Sequence, residues 1–93
     1  MSKVQSKGEY RVGTDFNPSA SEIVNEIKAR AAMLIDLIDL IEPAAGSERL
    51  IRTHDAEVGR LKALAQTKIE EAAMWAVKAA TKREPVAVEE DGK

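Results

Sequence analysis

The chain has 93 residues, 44% of them hydrophobic but only 3% aromatic, the three aromatics being Tyr10, Phe16 and Trp75. A globule of this length buries only roughly 60% of its unfolded-chain surface, which argues for one domain at most and against a large enclosed active site. The chain has no Cys, a single His (His54) and a formal charge of −2; these argue against thiol chemistry, a His-rich metal site, a Ser/His/Asp relay and sequence-independent binding to duplex DNA.

Residues 1–18 are polar, with Gly8 and Gly13 and no sustained periodicity. They read as an extended N-terminal arm, with a short β-like piece at Tyr10 to Val12. Lys3 and Lys7 are followed by no apolar run, so no secretory signal is expected here.

The helical domain is expected over 19–82. Its first helix has two candidate starts: Asn17 as cap with Pro18 at the first helical position, or Ser19 as cap with Glu22 completing a capping box. Ala20, Val24, Ile27, Ala31, Leu34, Ile38 and Ile41 then recur at steps of four and three, a heptad-like seam. A second apolar line, Ile23, Met33, Leu37 and Leu40, lies outside that seam. Its longest apolar stretch, Met33 to Ile41, carries Asp36 and Asp39 and is far short of the ~20 residues that span a bilayer. Pro43 ends the helix, and Ala44, Ala45 and Gly46 form a turn.

A second helix is expected from Ser47 to about Lys82, where Glu84 and Pro85 stop it. Its seam is Val58, Leu61, Ala65, Ile69, Ala72, Ala76 and Ala80. Gly59 inside it marks close packing or a local break, since an interior glycine costs about 1 kcal/mol against Ala. Residues 83–93 read as a disordered acidic tail.

The two helices, roughly 22 and 35 residues, are about 33 and 52 Å long. Folded into an antiparallel hairpin, the second is expected to overshoot at Glu71 to Lys82, an apolar run containing Trp75 that the N-terminal arm or another protomer must cover. One partner helix cannot bury both apolar lines of the first, so a compact homo-oligomer is expected. In the first helix Lys28 and Arg30 face five acids, Glu22, Glu26, Asp36, Asp39 and Glu42. Acids at a helix C-terminus oppose the macrodipole and suggest a basic partner surface. Lys3, Lys7 and Arg11 are expected to gather where the arm meets the first helix, near Trp75. A cation cluster beside an aromatic suits stacked bases and phosphates.

Glu9-Tyr10-Arg11, Asn25-Glu26-Ile27-Lys28 and the run from Glu71 to Thr81 together resemble the helical-hairpin domain of the phage anti-CBASS cyclic-nucleotide sponges, a domain shared with Thoeris anti-defence sponges. The resemblance covers Tyr10 to Thr81. It implies a protein without enzymatic activity that sequesters a host cyclic oligonucleotide immune signal in the host cytoplasm. It also implies a hexamer of hairpins with cyclic dinucleotides in pockets between protomers; cyclic trinucleotides or cyclic ADP-ribose variants are the further ligands. Carried over by motif, Tyr10 stacks on a base, Lys28 meets a phosphate, and Arg11 and Arg30 are ligand-facing. The chain departs from the pattern at Glu9, where cyclic-dinucleotide sponges usually have Gly, and in a longer spacer between Tyr10 and Lys28. No cofactor or metal is expected.

Of the other candidates, Trp75 reads as core or interface, and Phe16 as a staple of the arm to the first helix, with ligand contact as its alternative. Asp36 and Asp39 read as an exposed or interfacial face. Arg49, Arg52, Arg60 and Lys62 either line a second anionic pocket or pair with Glu48, Asp55 and Glu57. The alternative to a sponge is an oligomeric helical-hairpin interaction or structural module with no nucleotide ligand.

Overall fold

A computed structural model describes residues 4–43 and 48–86. Three helices and no strand occur among them: α1 (Lys7–Val12), α2 (Glu22–Asp39) and α3 (Glu48–Thr81). The expected turn at Ala44 to Gly46, Lys3 and most of the expected acidic tail lie outside the described residues.

The expected extended arm is instead helical at its centre. Ser6 caps α1 by accepting from the Glu9 N–H, and the Glu9 carboxylate accepts from the Ser6 N–H, a reciprocal capping box. Gly13 ends the helix in the left-handed conformation at φ 73° and returns its N–H to the Glu9 carbonyl. A capping box therefore occurs at Ser6 to Glu9, and the one expected at Ser19 to Glu22 does not form. The N-cap of α2 is Ser21, whose side chain makes no capping bond. Asn17 and Ser19 brace the turn before it instead. Asn17 Nδ2 donates to the Ser21 carbonyl and to Asn25 Oδ1, and the Ser19 hydroxyl donates to Asn17 Oδ1.

Gly8 lets α1 lie directly on α2. A Cβ built there would sit 2.0 Å from the Ala32 carbonyl oxygen. The Gly8 N–H donates to Asp36 Oδ1 at 2.7 Å, and Lys7 pairs with Asp39 at 2.8 Å. The acids at the end of α2 thus answer a basic surface, and it is the chain's own first helix.

α2 and α3 run antiparallel, in a register set by polar side chains. Gln66, 2% exposed, donates to the Ile35 carbonyl and to Asp39 Oδ1 and accepts from Lys7. Lys62 donates to the carbonyls of Asp39 and Ile41, supplying donors to the unpaired C-terminal carbonyls of α2. Val24, Ala32, Ile35 and Ala73 form the buried apolar core, with Lys28 and Gln66 buried among them. The buried line on α2 starts on the expected seam at Val24 and then runs one position past it: Lys28, Ala32 and Ile35 are buried, whereas the seam residues Ile27, Ala31 and Ile38 are half-buried and Leu34 is exposed.

This register moves the overhang. The C-terminal half of α3 lies beside the start of α2 and the α1–α2 connection, and the surplus length of α3 falls at its other end, where residues 52–57 are all exposed. The expected overshoot at Glu71 to Lys82 is thereby corrected. α3 runs unbroken through Gly59, where a Cβ would meet open space, so neither expected role for that glycine occurs within the chain. The second apolar line expected on α2, Ile23, Met33, Leu37 and Leu40, is exposed throughout. No helix is long and apolar enough to cross a membrane among the described residues.

Candidate ligand cleft

The connection between α1 and α2 is anchored by one lysine. Lys28, 8% exposed, donates to the carbonyls of Gly13 and Phe16. Burying an ammonium is tolerable only with such partners, and these two carbonyls supply them. The Phe16 N–H returns to the Gly13 carbonyl at 3.0 Å, closing a tight turn. The Lys28 ammonium also lies 5.4 Å from the centre of the Phe16 ring, within cation–π range.

Around this anchor are two clefts. The first, about 510 Å³, is walled by Arg11, Val12 and Phe16 on one side and by Thr67, Glu70, Met74 and Val77 of α3 on the other, with Lys28 in its lining. Arg11 Nε donates to Glu70 at 2.7 Å, and its guanidinium reaches the Thr67 hydroxyl at 3.4 Å. The second, about 380 Å³, is lined by Asn17, Ser19, Val24, Thr81 and Arg83, and shares Phe16, Lys28 and Val77 with the first. Both volumes fall in the range of small-molecule sites. The chemistry offered is an aromatic ring and apolar side chains flanked by cations and hydroxyls, with the carboxylates of Glu70 and Glu71 at the first cleft, Glu70 already paired with Arg11.

Of the four expected site residues, Arg11 and Lys28 meet at the first cleft. Tyr10 projects from α1 at 77% exposure and lines neither cleft. Arg30 is on an exposed part of α2, paired with Glu26 one turn earlier at 2.9 Å. Glu9 is engaged in the α1 cap.

Among the described residues, Lys7 and Arg11 do not gather near Trp75 as expected. Lys7 is beside Asp39 and Arg11 beside Glu70. Trp75 is exposed, with the Lys78 ammonium 5.3 Å from its ring centre.

Phe16 is exposed in the single chain and so is not a buried staple. Arg60 pairs with Glu57 at 2.5 Å, which lowers the Glu57 pKa and raises that of Arg60, in each case first through the hydrogen bond. Lys62 is engaged by carbonyls, so these two do not build a second anionic pocket; the Arg49 side chain lies outside what is described. Asp36 and Asp39 are held against α1. No cluster of three metal-ligating side chains occurs among the described residues.

Gln66, Glu70 and Arg83 were missed by sequence reasoning. Gln66 carries a faint signal, a polar residue next to the seam position Ala65. Glu70 and Arg83 carry none, because their placement depends on the helix register.

A sequence profile described as "Acb2/Tad1, hairpin domain" matches residues 9–81. No curated protein and no solved structure gives a match. The match covers most of the chain and takes in α2, α3 and all but the start of α1. The chain belongs to the Acb2/Tad1 hairpin-domain family, the family of anti-CBASS and anti-Thoeris sponges.

Proposed function

We propose that this protein is a phage anti-defence sponge that binds host cyclic oligonucleotide signals in the host cytoplasm and holds them without cleaving them. Cyclic dinucleotides are the first ligand class; cyclic trinucleotides and cyclic ADP-ribose variants are the others. The observation that carries the reading is the convergence of Arg11 and Lys28 on one cleft in a chain of this family. A cyclic dinucleotide carries two phosphate charges and two π faces. Cations and aromatics duplicated by symmetry therefore match it without an overall positive charge.

In this reading the pockets are completed between protomers of a hexamer. The exposed apolar line of α2 supplies the surface for association. Tyr10, solvent-facing in one chain, stacks on a base held by a neighbour, and Lys28, Arg11 and Arg30 meet phosphates. Arg11 exchanges Glu70 for the ligand, and Arg30 is separated from its weak exposed pair with Glu26 at little cost.

Calorimetry with cyclic dinucleotides, cyclic trinucleotides and cyclic ADP-ribose isomers tests the proposal. Binding to at least one, with intact ligand recovered after heat release, is expected. Absence of binding to all of them would leave the ligand-free interaction module, and a cleaved product would make the protein a hydrolase. Tyr10→Ala is the clean site variant, because Tyr10 is 77% exposed and lies outside the buried core. It should weaken dinucleotide binding at least tenfold, since base stacking is worth about 1–3 kcal/mol per base. Lys28→Ala removes both a proposed phosphate contact and the anchor of the connection, so its binding loss must be read beside its melting temperature.

A further inference from the structure

Phe16 is the one large apolar side chain on the α1–α2 connection, and it is 69% exposed. Its backbone is nevertheless firmly placed. The N–H is bonded to Gly13, and the carbonyl accepts from buried Lys28, which also holds the Gly13 carbonyl. Three side-chain hydrogen bonds of Asn17 and Ser19 brace the turn that follows it. A fixed backbone carrying an unpacked ring is not what a hydrophobic staple requires, because a staple has its ring against the helix it holds. It is what an aromatic platform requires.

The ring's surroundings point the same way. One side bears the Lys28 ammonium, and the ring lines both clefts. Arg11 and Thr67 lie in one, and Asn17, Ser19, Thr81 and Arg83 in the other. Hydrogen-bonding groups and cations thus flank an exposed π surface. Together with the apolar Val12, Met74 and Val77 of the first cleft, that arrangement fits a planar heterocycle attached to a phosphodiester.

We infer that Phe16 is a base-stacking residue of the sponge site, with its ring forming the wall between the two clefts and taking a nucleobase of the bound cyclic oligonucleotide on its exposed surface. This rests on the sponge reading and extends it. Lys28 then has two roles at once: its carbonyl bonds fix the ring's position, and its charge lies beside the phosphate that follows the stacked base.

The test uses the full-length protein, with Phe16→Ala, Phe16→Leu and Phe16→Trp, titrated calorimetrically with cyclic di-GMP, cyclic di-AMP and cyclic GMP–AMP, and with mass measured by sedimentation before and after ligand. For whichever dinucleotide the wild type binds, Phe16→Ala and Phe16→Leu should bind at least tenfold more weakly. Phe16→Trp should stay within a few-fold of wild type, and all variants should keep the wild-type mass. Wild-type affinity in Phe16→Leu overturns the inference, because apolar area without a π face would then suffice. Loss of binding accompanied by a change in mass also overturns it, making Phe16 an interface residue. A wild type that binds none of the three, nor any other ligand of the wider panel, overturns the sponge reading itself, an outcome separate from any behaviour of the variants.

Discussion

Asp39 sits at the meeting point of all three helices. It accepts from Lys7 of α1 and Gln66 of α3, and the Lys7 hydrogen bond is the largest cause holding its carboxyl below the usual aspartate range, followed by that of Gln66. A carboxyl whose pKa is lower in the folded than in the unfolded chain stabilises the fold above the unfolded value, about 3.9. That contribution is lost as pH falls through the folded value. Asp39→Asn should therefore melt below wild type at neutral pH, with the difference shrinking as pH drops below about 3.9. Thermal melts across pH 2–7 at fixed protein concentration would show it. A constant difference over that range would mean the Lys7 and Gln66 bonds, and not ionisation, account for Asp39's contribution. The partners were not legible from sequence, where Asp36 and Asp39 read as an exposed or interfacial face answering a basic surface of unspecified origin. Their partners, Gly8 and Lys7, precede them by 28 and 32 residues on a segment without periodicity.

At the scale of elements, α2 and α3 were legible and α1 was not, for a physical reason. An 18-residue and a 34-residue helix repeat their apolar spacing several times, whereas six residues make fewer than two turns and show no period. The one local signal for α1, Ser6 followed three residues later by Glu9, was present but stood among glycines. A similar pattern at Ser19 to Glu22 drew the capping assignment instead. The register of the hairpin was hidden in Gln66, whose side chain reaches the Ile35 carbonyl and so decides which ends of the helices coincide. As to the candidate site, Arg11 and Lys28 came from the family resemblance, but the clefts could not be seen while the connection was read as extended.

The α1–α2 crossing makes a direct prediction. In Gly8→Ala the new methyl would meet backbone atoms of Ala32, which cannot rotate away as a side chain would. α1 would have to lift, lengthening the Gly8 bond to Asp36. Overpacking of this kind costs about 1–3 kcal/mol or more. A fall in melting temperature of about 4–8 °C per kcal/mol is expected for a domain of this size. An unchanged melting temperature would show that α1 is not docked on α2 in solution.

For the whole molecule the decisive fact is how little one chain buries. Among the large aliphatic side chains of the described residues only Val24 and Ile35 are buried, while Ile23, Met33, Leu37 and Leu40 form an exposed line along α2, and Leu61 and Leu64 are exposed on α3. Exposed apolar residues scattered singly need no explanation, but an aligned set on a long helix marks a contact surface. If that surface stays in water, Leu37→Lys is a surface change worth less than about 0.5 kcal/mol. Within an assembly, the same substitution places an unpaired ammonium against apolar neighbours, and its cost is repeated in every copy. The expected outcome is that wild type sediments as an oligomer at micromolar concentration and Leu37→Lys as a smaller species. The melting temperature of wild type should also rise with protein concentration, and that of the variant less so, because association favours the folded chain by mass action. A wild type that sediments as a monomer would mean that the line is covered by something other than a second copy, and a site completed between protomers would then have no partner to complete it.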